Sequence, residues 1–194
     1  MKALKHYLVQ LGVALLALAV VPLPINPAFA DDIWTPLGKR WERYTNERFG
    51  TVADVPRHLF ELVEPPPANG DGRELKATDG ARLWISGSYV PYVITNTFQE
   101  YKAWLLEHAK LDRLTYKAEG RGWLVLSGTK QGNIVYRKVV EGCGAAHEVH
   151  IEYPEQRKAL YAPLVTRVSK SLGCISMTSR PFWQSRGSKA SRRP

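Results

Sequence analysis

From Arg43 onward, short apolar runs alternate with Gly-, Pro-, Asn- and Asp-rich punctuation, the pattern of strands and turns, with two helical stretches between them. Arg43 to Pro56 reads as a hairpin: Tyr44-Thr45, a turn at Asn46-Glu47-Arg48, then a strand from Phe49 to Val55. Pro65-Pro66-Pro67 and Asn69-Gly70-Asp71-Gly72 form a loop on turn chemistry alone. Glu74 to Ala77 and Ala81 to Tyr89 predict two strands joined at Thr78-Asp79-Gly80, with Leu83 and Ile85 on one face and Arg82, Trp84 and Ser86 on the other. Thr97-Phe98-Gln99-Glu100 is a capping box, and Phe98, Tyr101, Leu105 and Ala109 continue it as one helical stripe. Leu114 to Glu119, Trp123 to Ser127, Ile134 to Val140 and Glu148 to Tyr153 predict an antiparallel meander. Its turns fall at Gly120-Arg121-Gly122, Gly128 to Gly132 and Gly142 to Ala146. A last helix carries Leu160, Leu164, Val168 and Leu172 at steps of four and stops at Gly173; Pro163 inside it places the start near Tyr161.

Ahead of this pattern lies a segment of a different kind. Lys2 and Lys5 precede an apolar run from Leu8 to Val21, and a proline-rich stretch ends in Ala28-Phe29-Ala30, the three parts of a secretory leader cleaved after Ala30. The competing reading is an uncleaved anchor, but the run is nearer 14 residues than the ~20 that span a bilayer. The resulting plan is a signal peptide at 1–30, a polar-aromatic lead-in at 31–42, a single domain at 43–175 and a basic tail at 176–194. The exported, most simply periplasmic, protein would then have no membrane span.

Runs of strands with helices between the runs indicate an α+β fold, helices packed on an antiparallel sheet. The element order and the closing Val165-Thr166-Arg167-Val168-Ser169-Lys170-Ser171-Leu172 resemble the PsbP-like proteins, which implies an α/β/α sandwich and an accessory or binding role. More locally, Tyr44-Thr45-Asn46-Glu47-Arg48-Phe49-Gly50 with Pro56, Leu59-Phe60 and Asn69-Gly70-Asp71-Gly72-Arg73 resembles an uncharacterised exported family of Gram-negative bacteria. No catalytic motif comes with either resemblance.

Export changes the meaning of the two cysteines. In an oxidising compartment Cys143 and Cys174 pair by default, and closing a loop of about 32 residues stabilises by roughly 3–4 kcal/mol. Two cysteines also exclude a disulfide-dense miniprotein and a four-Cys zinc module. The formal charge of +9 divides unevenly along the 194 residues. Two cations leave with the leader, five lie in the tail, and the body between holds 20 bases against 18 acids. A nearly neutral body disfavours a nucleic-acid partner. The tail cations Arg180, Arg186, Lys189, Arg192 and Arg193, with Phe182-Trp183 among them, could instead hold the protein to an anionic surface by charge and apolar insertion. A solvated tail with no partner is the alternative.

Candidate chemistry is sparse. Ser171-Leu172-Gly173-Cys174-Ile175-Ser176 resembles the nucleophile segment of L,D-transpeptidases, implying a Cys174 thiolate with His147 or His150 as base. Ser176 stands where that family has Arg, neither histidine is followed by Gly, and a disulfide would leave no thiolate. In the strand His147-Glu148-Val149-His150-Ile151-Glu152 the two histidines point to opposite faces, so His-x-x-His is no ligand pair. Glu148, His150 and Glu152 would need another strand's help to hold a metal. Asn69 to Gly72 lacks the remaining oxygens of a calcium loop, and Ser127 to Gly132 is not a P-loop. Trp84, Trp104 and Trp123 fall in strand and helix patterns and read as core. The expectation is a non-enzymatic exported binding or accessory protein without metal or cofactor, acting on a protein or cell-envelope partner, with a cysteine-dependent cell-wall enzyme as the alternative.

Overall fold

The computed structural model describes residues 32–176 apart from residue 90. Residues 1–31, with the expected leader, and residues from 177 onward, including all seven named as an anionic-surface contact, lie outside them. Eleven strands are formed among the described residues: β1 Ile33–Pro36, β2 Glu42–Thr45, β3 Thr51–Val55, β4 Leu62–Val63, β5 Gly72–Lys76, β6 Arg82–Ser88, β7 Arg113–Gly120, β8 Trp123–Lys130, β9 Asn133–Gly142, β10 Ala145–Pro154 and β11 Gly173–Cys174. Helices are α1 Pro91–Ile94, α2 Phe98–Glu107 and α3 Lys158–Ser171. The strands make two antiparallel sheets, a small one in the order β1-β2-β3-β11 and a large one in the order β4-β5-β6-β10-β9-β8-β7. The α+β expectation holds. No helix among the described residues is long and apolar enough to cross a membrane.

Two-residue turns fix the register of the large sheet. The β8–β9 turn is Gln131-Gly132 and the β9–β10 turn is Cys143-Gly144, both residues of each pair at positive φ, the geometry that matches strand twist. The expected loop from Gly128 to Gly132 therefore shrinks, because β8 runs on to Lys130. At α2 the Thr97 hydroxyl accepts the Glu100 N–H at 3.2 Å, and the Glu100 carboxylate accepts the Asn96 N–H at 2.8 Å.

Each face of the large sheet is covered at one end only. On one face, α2 lays Phe98, Tyr101 and Leu105 over Leu124, Leu126, Val139 and Ala146. On the other, the small sheet and α3 pack Tyr44, Ala53, Val55, Tyr161, Val168 and Leu172 against Leu75, Leu83, Ile85, Val149 and Ile151. The covers sit at opposite ends, which leaves one open quarter per face: β5, β6 and β10 on the α2 side, and β7, β8 and β9 on the α3 side.

Three expectations change. The lead-in at 31–42 supplies β1, held to β2 with Trp34 opposite Tyr44, their ring centroids 5.0 Å apart and their planes tilted by 55°. Helix α3 starts at Lys158 and not near Tyr161: a 3-10 turn at Glu155–Arg157 leads into it, and Pro163 lies inside the helix in its second turn, where it removes one amide donor without ending the helix. It buries Tyr161 and Val168 and leaves Leu160 exposed. Third, β11 adds a two-residue strand beyond the predicted stop at Gly173, pairing Gly173 with Val52 and Cys174 with Thr51.

Candidate functional site

The disulfide forms: Cys143 in the β9–β10 turn bonds Cys174 in β11, with the Cα atoms 6.2 Å apart. Gly142 permits the approach, since a Cβ there would lie 2.8 Å from the Cys174 sulfur. Neither cysteine is free, so Cys174 presents no thiolate to attack.

His147 and His150 diverge as the strand period requires. His147 is fully buried between the sheets, its Nε2–H donating to the Gly142 carbonyl at 2.9 Å and its Nδ1 accepting from the Thr51 hydroxyl at 2.7 Å. His150 lies on the opposite face, its ring 4.8 Å from that of Trp84, with Nε2 buried and unpartnered among the described residues. Burial lowers both pKa values, favouring neutral rings. Glu148 and Glu152 share the His150 face, but each carboxylate is committed elsewhere. Glu148 takes both guanidinium bonds of Arg137 at 2.6 and 2.8 Å, and Glu152 accepts from Asn133 at 2.8 Å. Beside them Arg82 covers the Trp84 ring at 4.4 Å and pairs with Glu74. A shallow groove of about 350 Å³ opens at this end, between Trp84 and the loop carrying Pro65 and Pro67. Asn69 to Gly72 is a turn within that loop, Asn69 donating to Asp71 at 2.8 Å.

Because the depressed histidine pKa values make the unfolded chain bind protons first, stability should fall as pH drops below about 6.5, the unfolded value. Thermal midpoints between pH 7.5 and pH 5 should therefore decline, and His147→Gln should flatten that decline. A pH-independent midpoint in the parent protein would refute the assignment.

The second open quarter is lined differently. Tyr116 of β7, Trp123 and Val125 of β8, Tyr136 and Lys138 of β9, and Ser169 of α3 surround a groove of about 520 Å³. Period-two alternation puts the strand residues on the face α2 does not cover. Tyr116 and Trp123 are exposed. The Tyr136 and Ser169 hydroxyls share a hydrogen bond of 2.6 Å. Burial raises the Tyr136 pKa, and the neighbouring Tyr116 phenol adds to the rise. The Lys138 ammonium donates to the Ser169 carbonyl at 2.6 Å, and burial lowers its pKa.

Of the tryptophans read as core, Trp104 is half-buried and packs against the α2 cluster, whereas Trp84 is half-buried on the open face and Trp123 is exposed. Sequence reasoning passed over Tyr116, Tyr136 and Lys138. The available signal was Trp123-Leu124-Val125-Leu126, four apolar residues in an antiparallel strand, which makes both faces apolar where a one-sided core needs only one.

A scan against protein-family models finds no match, and a search of the curated proteins finds none either. Among solved structures, the chain is similar to the solution structure of cyanobacterial PsbP (CyanoP) from Synechocystis sp. PCC 6803. The TM-score is 0.50 and the identity 14%, over 72% of this chain and 95% of that one. The fold is PsbP-like. At this identity the likeness concerns architecture, and function has to be argued from the site.

Proposed function

We propose that the chain is an exported, non-enzymatic accessory or binding protein of the Gram-negative cell envelope, periplasmic after removal of residues 1–30. Its binding surface is the open β7–β9 face. The observation that carries this reading is the groove itself. Three aromatic side chains and one lysine line a sheet face that α3 reaches only at its edge. A large aromatic patch left uncovered on a domain that buries most of its other rings marks a recognition surface. The leader pattern, the disulfide and the local resemblance to an exported Gram-negative family support the address. The thiolate chemistry of the alternative enzyme is blocked by the Cys143–Cys174 bond. The tail cations act as a second, electrostatic contact with an anionic surface.

Co-sedimentation of the protein recovered from the periplasm with cell-envelope fractions tests the reading. The parent protein should pellet with the envelope, and Trp123→Ala should reduce the bound fraction by about tenfold. Deleting residues 179–194 should remove the tail's share of the salt-sensitive binding and leave the groove's share in place. Binding unaffected by Trp123→Ala would end the proposal for the groove, and binding equally salt-sensitive without the tail would end it for the tail.

A further inference from the structure

We infer that the β7–β9 groove is a saccharide site whose ligand is an acidic glycan, its carboxylate meeting Lys138. The inference rests on the binding reading above and adds the chemistry of the ligand. Strand register sets the spacing. Trp123 stands beside Val140, Val125 beside Lys138, and Ser127 beside both Tyr116 and Tyr136. The indole and the tyrosine pair are therefore four residues apart along β8, about 13 Å at the usual rise per residue. Val125 forms the floor between them and Lys138 one wall.

Trp123 is held open by its neighbours. Its pyrrole ring rests over Gly120, where a Cβ would come within 2.3 Å of the indole nitrogen. From the other face, the buried Lys102 of α2 donates to the Gly120 carbonyl at 2.7 Å and fixes the hairpin beneath the ring. Rigid rings with polar edges present contact area at little entropic cost. Sugar rings have a matching shape, an apolar C–H face bounded by hydroxyls, and the rim here supplies the Tyr136 and Ser169 hydroxyls to meet them.

Charge complementarity selects an acidic sugar. Lys138 is the charged residue of the groove, and no carboxylate pairs with it among the described residues. Its half-desolvated ammonium gains most from an anion. The same sign argument excludes other occupants. The tail holds five cations and no acid, and a second copy of the groove would bring a second Lys138. A single lysine does not supply the several phosphate contacts of nucleic-acid binding. Strand addition at the edge strand β7 is opposed by its bulge between Leu114 and Tyr116 and by Lys117 and Glu119.

Isothermal titration of the mature protein with two tetrasaccharides decides the matter. One alternates N-acetylglucosamine with N-acetylmuramic acid; the other, chitotetraose, lacks the carboxylates. The acidic sugar should bind about tenfold tighter or better, Lys138→Met should abolish the preference, and Trp123→Ala should weaken both by about tenfold. Both residues lie at the surface, and unchanged thermal midpoints would show that the variants fold. No binding of either sugar, while envelope binding remains sensitive to Trp123→Ala, would overturn the saccharide assignment, leave the groove as a binding face and point to a protein partner. A preference that survives Lys138→Met would overturn the carboxylate contact. Envelope binding insensitive to Trp123→Ala would overturn both readings.

Discussion

Replacing Asp32 by alanine is expected to cost about 3–5 kcal/mol, the price of leaving buried partners uncompensated. The Asp32 carboxylate, 5% exposed, accepts the Tyr44 hydroxyl at 2.8 Å and the Asn46 amide at 3.3 Å, and pairs with the Arg73 guanidinium. Tyr44 is fully buried, and with Asp32 gone its hydroxyl has no acceptor among the described residues. Among the described residues Arg73 would keep the Glu64 carbonyl at 3.2 Å. Asp32→Asn keeps an acceptor oxygen and should cost less. The double variant Asp32→Ala/Arg73→Met should recover part of the loss, because it removes both charges of the pair. Urea denaturation reads all three, and a midpoint for Asp32→Ala equal to that of the parent would show that the segment before β2 contributes nothing to the fold.

Breaking the disulfide should have a comparable effect. With Cys143 and Cys174 separated by 31 positions, Cys143→Ser/Cys174→Ser is expected to lose about 3–4 kcal/mol, mainly through the greater freedom of the unfolded chain. That corresponds to a fall in thermal midpoint on the order of 10 °C. The native state loses order as well. β11 pairs only two residues with β3, and Ile175 adds one further bond, from its N–H to the Gly50 carbonyl at 2.9 Å. Amide exchange in Gly173 to Ile175 should therefore accelerate in the serine variant. Coincident unfolding curves for the oxidised parent and the variant would show that the bond is not structural.

These two sites also show what the sequence could and could not reveal. The β6 alternation of Leu83 and Ile85 against Trp84 and the Thr97 cap were legible because strand period and capping chemistry are local. The role of Asp32 was not legible, since its partners lie 12, 14 and 41 residues away. In the α3 stripe Val168 and Leu172 join the core and Leu164 packs against it, and only Leu160 departs, for a geometric reason. Steps of four overshoot a turn of 3.6 residues, so Leu160 drifts away from the face of Val168, whereas Tyr161, seven residues before Val168, returns to it. The groove was hidden because Trp123-Leu124-Val125-Leu126 is apolar on both faces. Alternation identifies the two faces of a strand, but only the length and position of α2 and α3 decide which face stays open.

The acidic tetrasaccharide should perturb the β7–β9 face and leave the Trp84–His150 face unmoved. Titrating residues 31–194 with the acidic tetrasaccharide while recording amide nitrogen–proton correlation spectra tests it residue by residue. The expected result is a set of saturable shifts at Gly122, Trp123 including its indole N–H, Lys138, Val140 and Ser169, with Trp84 and His150 unmoved. Shifts centred on Trp84 and His150, or none at saturating ligand, would contradict the account.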